Sequence, residues 1–303
     1  SAVVNASLTL TASNNGPVCE GSTLNLSAVS NGTSFSWSGS SFSSTQQNPT
    51  IAGITMANAG IYTVIVGAGA CTISATTSVS VKALPNLTAS NNSPVCVGTT
   101  IRLSAVSNAS TFAWSGPGGY SSTAQNPTRA SSTTAMSGTY TARATSTNGC
   151  TASATTSVLV VSASVTASSN TPVCLGYIIN LTATAAGASS FAWAGPAGFA
   201  STSQTPTRTN ATTAMKGRYS VTAVFAGGCT ASVTTSVSVR NGITITATSN
   251  SPRCVGTTLN LSSTITGGSS LTYNWAGPNG FTSTARNPAI TNAQTNRSGI
   301  YTV

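Results

Sequence analysis

Acidic side chains are almost absent from this chain: Glu20 is the single carboxylate in 303 residues, and there is no histidine. Those two absences exclude most catalytic chemistry. Paired-carboxylate hydrolysis, a Ser-His-Asp triad, histidine-ligated zinc and a carboxylate cage for calcium all lack their residues. Seven cysteines remain as conceivable metal ligands, but none forms a Cys-x-x-Cys pair. The sequence reads as non-enzymatic, without metal or cofactor.

Bases are sparse too. Eleven lysines and arginines give a net charge of +10, which reflects missing acids rather than a basic patch. Nothing resembles the dense stripe that follows a phosphate backbone, so nucleic acid is not an expected partner. Weak attraction to anionic surface polysaccharide or a membrane surface stays open. No run approaches the ~18 apolar residues that span a bilayer, and no transmembrane segment is expected. No secretory signal stands at Ser1, so the expectation is a mature product or a fragment.

Ser, Thr, Ala, Val, Asn and Gly dominate what is present. Thr and Val suit a pleated, half-buried surface, while Gly and Asn punctuate turns. One stretch sets the rhythm: Pro17-Val18-Cys19-Glu20-Gly21 returns at Pro94–Gly98, Pro172–Gly176 and Pro252–Gly256, its cysteines 77, 78 and 80 residues apart. A period near 79 is long for a solenoid unit and about right for a small all-β domain with its own core. The expected architecture is all-β, a tandem array of four immunoglobulin-like β-sandwich domains with the last incomplete. The boundaries are 1-4 (the end of a preceding repeat), 5-82, 83-161, 162-240 and 241-303 (truncated before its last strand).

Within repeat one, Leu8–Thr11, Leu24–Leu26 and Phe35–Trp37 alternate apolar with polar, as strands with one buried face do. Ala59–Val66 and a long final strand on Cys71, Ile73, Ala75, Thr77, Val79 and Val81 follow. A tryptophan on the third strand is the usual centre of an immunoglobulin-like core, which assigns that place to Trp37, Trp114, Trp193 and Trp275. A tyrosine opening the penultimate strand resembles the tyrosine corner of that fold, which makes Tyr62, Tyr140, Tyr219 and Tyr301 corner residues with hydroxyls bonded to nearby backbone.

The cysteines depart from the antibody pattern, because the second one falls nine or ten residues after the tyrosine, beyond the turn. Constant spacings of 52, 54 and 55 residues within the repeats point to Cys19–Cys71, Cys96–Cys150 and Cys174–Cys229, with Cys254 left unpaired within this chain. In a chain-entropy treatment such a loop stabilises its domain by on the order of 4 kcal/mol. Disulfides imply an oxidising compartment, hence an extracellular or cell-surface location.

Between the tryptophan strand and an Asn-Pro turn lie Gly116-Pro117-Gly118-Gly119-Tyr120, Gly195–Phe199 and Gly277–Phe281, each carrying one aromatic. Tyr120, Phe199 and Phe281 are therefore candidates for stacking a sugar. The plainer reading, a tight turn whose aromatic folds back over the sandwich edge, is preferred. The matched bases Lys82 with Arg240 and Arg129 with Arg208 are read as solvated positions. Asn-x-Ser/Thr sequons, among them Asn5, Asn25, Asn86, Asn180 and Asn296, leave glycosylation on Asn, Ser or Thr open.

Taken together, Ser-Asn-x-x-Pro-x-Cys-x-Gly, the tryptophan, Gly-Pro-x-Gly-Phe/Tyr, Asn-Pro, Gly-x-Tyr and Gly-Cys-Thr resemble the tandem immunoglobulin-like (PKD-like) repeats of large secreted Bacteroidota cell-surface and adhesin proteins. The likeness spans essentially the whole chain, with repeat one shortening the Gly-Pro turn to Gly39–Phe42. It implies export and a role as stalk or adhesin, with no catalytic residue. The expected function is a non-enzymatic extracellular structural array, whose partners are neighbouring repeats of the same or identical chains. The alternatives are a carbohydrate-binding array using the turn aromatics and a self-assembling filament subunit. Short connections such as Lys82–Pro85 predict a semi-rigid rod on the order of 120–160 Å long, at about 3.3 Å per strand residue.

Overall fold

Alternating apolar and polar residues place one face of each short strand inward, and the sheets follow from that pairing. A computed structural model describes residues 7–268 and 270–303. The expected tail at 1-4 and the Asn5 sequon lie outside those residues. Two compact units divide the chain, Ser1–Ser162 and Ala163–Val303. Both are all-β, and the chain is a tandem array of immunoglobulin-like sandwiches that carry short 3-10 turns within them.

In the first unit, the first sandwich contains β1 (Leu10–Asn14), β2 (Val18–Cys19), β3 (Leu24–Ser30), β4 (Ser34–Gly39), β5 (Phe42–Ser44), β6 (Thr50–Ile51), β7 (Gly60–Ala68), β8 (Cys71–Val79) and β9 (Val81–Lys82). One sheet runs β1-β3-β6 and the other β5-β4-β7-β8, all antiparallel. β2 instead pairs parallel to β9, Val18 against Val81 and Cys19 against Lys82. The first strand lies later than the sequence pattern placed it, because Ser13 and Asn14 continue the ladder opposite Ser27 and Leu26. Asn14 also donates to Thr77 Oγ1 at 2.6 Å and to the Ser78 carbonyl at 2.9 Å, holding β1 against β8.

Leu24, Leu26 and Ala28 of β3 face Trp37 of β4 and Tyr62, Val64 and Val66 of β7 across the first core. The second sandwich repeats this with Ile101, Leu103, Ala105, Trp114, Tyr140 and Ala142. Each core is separate and built around one tryptophan.

In the second unit, the third sandwich has the same two sheets and a core of Ile179, Leu181, Ala183, Trp193, Tyr219 and Val221. The fourth repeat pairs Thr244–Ser249 with Leu259–Thr266 and Ala289–Ile290, and Trp275–Gly277 with Phe281–Ser283. Among the described residues nothing corresponds to β8 and β9 there. Accordingly Thr244–Ser249 is exposed along its whole length, whereas β1 alternates between half-buried and exposed.

Candidate functional site

The Pro-x-Cys-x-Gly stretch builds the entrance of each sandwich from backbone constraints. Its proline follows a cis peptide in all four copies. The next residue, Val18, Val95 or Val173, is buried beside the last strand. The glycine takes a positive φ, +80° at Gly21 and +85° at Gly98, a region that a side chain disfavours. Two residues upstream of the proline, an asparagine ties the loop together. Asn15 donates to the Thr23 carbonyl at 3.1 Å and accepts from the Asn25 amide at 2.8 Å. Asn92, Asn170 and Asn250 repeat both bonds. Sequence reasoning saw only a turn there; the recurring Asn-x-Pro was the available signal.

The disulfides overturn the expected pairing. Cys19 bonds to Cys150, 131 residues away and in the next sandwich, with Cα atoms 5.7 Å apart. Cys19–Cys71 and Cys96–Cys150 are therefore not formed. Cys174–Cys229 is not formed either: Cys174 is free, as are Cys71 and Cys254, and all three are exposed. Cys96 and Cys229 are disulfide-bonded, and Cys229 is buried.

The reason lies in the direction of β2. Because it runs parallel to β9, Cys19 sits beside Lys82 at the far end of the last strand. Cys71 opens that strand at the hairpin with β7. Some ten strand residues separate the two ends, or roughly 30 Å at 3.3 Å each, far beyond the 4.4–6.8 Å that a disulfide allows between Cα atoms. The two cysteines of one sandwich face opposite ends. The near end of the following sandwich is what Cys19 can reach.

Polar contacts support the staple in the first unit. Lys82 donates from Nζ to the Asn148 carbonyl at 3.3 Å, and Asn148 Nδ2 donates to the Ala83 carbonyl at 3.4 Å. Asn148 Oδ1 accepts from the Cys150 amide at 3.0 Å and from the Ser146 hydroxyl, which fixes the turn that carries the sulfur. Lys82 is thus a seam residue rather than a solvated one. Cys150 is fully buried in this setting.

The turn aromatics are engaged by their own sandwiches. Tyr120, Phe199 and Phe281 meet the rings of Tyr140, Tyr219 and Tyr301 edge to face, with centroids 5.6, 5.5 and 5.5 Å apart. Arg129 lies 5.0 Å over the Tyr120 ring and Arg208 4.9 Å over Phe199. Each guanidinium also donates from Nη1 to a turn carbonyl and to the corner hydroxyl: Pro117 and Tyr140 at 2.9 and 2.8 Å, Pro196 and Tyr219 at 2.9 and 2.7 Å. Arg129 and Arg208 are clips that close the turn, which corrects their reading as solvated bases. In these two repeats a guanidinium thus lies over the ring on which a sugar would stack. In the fourth repeat Arg297 reaches the same turn, donating to the Pro278 carbonyl at 3.2 Å.

Every corner tyrosine bonds the backbone four residues upstream, from Tyr62 to Asn58, Tyr140 to Met136, Tyr219 to Met215 and Tyr301 to Arg297, at 2.8–3.0 Å. Trp37, Trp114, Trp193 and Trp275 are all buried. Trp37 and Trp114 donate to the Gln47 and Gln125 carbonyls, while the indole nitrogens of Trp193 and Trp275 meet no acceptor among the described residues. Among those residues no group of three or more Cys, Asp or Glu gathers where it would hold a metal ion, and no helix is long and apolar enough to cross a membrane.

No protein-family model matches the chain, and no curated protein matches its sequence. Solved structures that it resembles include the three N-terminal domains of the bacteriophage RB49 highly immunogenic outer capsid protein, at 17% identity and a TM-score of 0.37, covering 77% of this chain and 98% of that one. The I67–I69 fragment of titin is similar at 13% identity and a TM-score of 0.37, covering 78% of this chain and 100% of that one. The N-terminal eight Ig domains of Down syndrome cell adhesion molecule match at 14% and 0.36, with 97% of this chain covering 52% of that one. The fold assignment rests on strand order and register, not on these likenesses.

Proposed function

We propose that this chain is a non-enzymatic structural array that carries tension outside the cell, as a segment of a stalk, adhesin or surface filament. One observation supports the reading above others: the Cys19–Cys150 bond joins two sandwiches that each have a complete core of their own. A staple inside one domain would raise that domain's stability. A staple between domains instead bypasses the segment between its ends, a sequence separation of 131, when the chain is pulled. Bonds of this kind persist in oxidising surroundings, which fits export.

Pulling single molecules from their two ends tests this. With the disulfides intact the bypassed segment cannot extend. Adding a reductant should lengthen the fully extended chain by at least about 430 Å, at 3.3 Å or more for each of the released residues. Equal extension with and without reductant would overturn the proposal.

A further inference from the structure

In each of the first three sandwiches the last long strand is a sheet edge, and its outer rim is open. Backbone groups alternate in direction along a strand. In β8 the Ser78 carbonyl points away from β7, since it accepts from Asn14 Nδ2, and the Ser80 and Lys82 carbonyls beyond it accept from the Val18 and Glu20 amides. Thr72, Ser74 and Thr76 share that direction, and among the described residues nothing bonds their outward amides and carbonyls. The strands Thr151–Val158 and Thr230–Val237 repeat the arrangement, their Ser157 and Ser236 carbonyls accepting from Asn91 Nδ2 and the Ser169 hydroxyl. The free rims are therefore Thr72–Thr76, Thr151–Thr155 and Thr230–Thr234. The second belongs to a sandwich that has another before it and another after it in the chain, so the open rim is a property of the repeat.

The side chains that these strands turn toward the core are half-buried, although their partners one strand further in are sealed. Ile73 and Ala75 are half-buried, whereas Val66 and Val64 opposite them are 0% exposed. Ala154 stands against Ala142, and Val233 against Val221, in the same way. Leu10 and Ala12 of β1, packed on the same core, are half-buried too. The side of the sandwich between β1 and β8 is a slot that one further strand would close.

Proteins blunt such edges with charge, proline or a bulge. None interrupts these: the ladder to the neighbouring strand is unbroken, and the rims hold no charged residue or proline. They read Thr-Ile-Ser-Ala-Thr, Thr-Ala-Ser-Ala-Thr and Thr-Ala-Ser-Val-Thr. Each is self-complementary when reversed about its central serine.

We propose that a second copy of this chain pairs antiparallel along these rims, joining sandwiches edge to edge into one continuous sheet. Ser74 faces the same residue of the second copy and Thr72 faces its Thr76, each facing pair exchanging both N–H···O bonds. On the inner side Ile73 lies opposite Ala75, large against small, and the slot closes over both. Ser153 and Ser232 take the central place in the other two sandwiches. Charge favours this place for self-pairing: copies with a net charge of +10 repel one another, and the rims are uncharged. A rim this short buries less area than a stable dimer needs, so the pairing at each sandwich is weak and reversible. It goes beyond the tension-bearing reading and does not depend on it, because a chain that stays single carries load equally well.

Residue-resolved hydrogen exchange on the full chain, at micromolar and at millimolar concentration, tests the pairing. The amides of Ser74, Ser153 and Ser232 should exchange roughly tenfold or more slowly at the higher concentration, in step with dimer formation by sedimentation. The triple variant Ser74→Lys, Ser153→Lys, Ser232→Lys should abolish both effects. The control Ser36→Lys, Ala113→Lys, Ala192→Lys adds the same charge at exposed positions of the same cross-strand rows, two strands in from the rim, and should leave both in place. Association through free thiols or through the sandwich ends would survive the rim lysines, and that result would overturn the proposal. So would a wild-type chain that stays monomeric at millimolar concentration with rim amides exchanging freely, a result that leaves the force reading untouched.

Discussion

Lys82 ends the last strand of the first sandwich beside Cys19, and its ammonium donates to the Asn148 carbonyl in the turn that presents Cys150. One residue thus links the parallel strand pair of the first sandwich to the hairpin of the second. The seam is closed covalently by sulfur and non-covalently by this bond and its neighbour from Asn148 to Ala83. Several consequences can be measured.

Replacing Cys19 by serine should free the Cys150 thiol without unfolding either sandwich, because each retains its own core. Alkylation of the unfolded, unreduced protein should detect one additional thiol, and circular dichroism of the native protein should stay unchanged. The loss in stability is bounded by the chain-entropy value for so long a loop, about 5 kcal/mol. Collapse of both sandwiches would show that the staple, rather than the cores, holds them.

Arg129→Met keeps the stem of the side chain but removes its bonds to Pro117 and Tyr140 and its charge over the Tyr120 ring. Two hydrogen bonds and one cation–π contact at a half-buried site amount to about 1–3 kcal/mol. Hydrogen exchange should accelerate by roughly fivefold to a hundredfold in peptides of the second sandwich, since about 1.4 kcal/mol is a factor of ten. Unchanged exchange in those peptides would mean that the guanidinium is a solvated base after all.

Gly116→Ala tests why the tryptophan strand always ends in glycine. A Cβ at this position would lie 2.5 Å from the Tyr140 ring, and the same approach recurs at Gly195 with Tyr219 and Gly277 with Tyr301. Gly116 is extended, so the effect is steric rather than one of backbone freedom. We expect a loss of about 1–3 kcal/mol with a lowered melting temperature. Ser115→Ala, on an exposed position of the same strand, should be close to neutral.

Stability should be nearly independent of pH across the mildly acidic to neutral range. Its slope follows the difference in protons bound by the folded and unfolded chains, and one carboxylate side chain with no imidazole leaves little to differ. Unfolding free energies from denaturant titrations at pH 4 and pH 8 should coincide within about 1 kcal/mol. A steep acid transition would reveal a dependence that the composition does not contain.

Much of the sandwich was legible because its signals are local. Trp114 sits on an alternating strand, Tyr140 follows a glycine, and both carry their role in residues within a few positions of themselves. The acid-poor composition set aside carboxylate- and histidine-dependent chemistry without any structure. Arg129 was not legible: the ring, the carbonyl and the hydroxyl that it serves lie 9–12 positions away in a turn and on two other strands, and a lone arginine in a polar segment looks the same whether solvated or clipped.

The cysteines mark where sequence stops. The period of the Pro-x-Cys-x-Gly stretch, the number of repeats and the existence of two classes of cysteine are properties of the linear chain. Which cysteine meets which depended on the direction of one two-residue strand. Val18 and Cys19 run parallel to Val81 and Lys82, placing the entrance at one end of the sandwich and the Cys71 hairpin at the other. Spacing cannot encode that, because a constant separation within each repeat accompanies a constant separation between repeats. The fold alone decided that the Cys19–Cys150 bond runs from one bead to the next, since across that seam its two sulfurs come within reach.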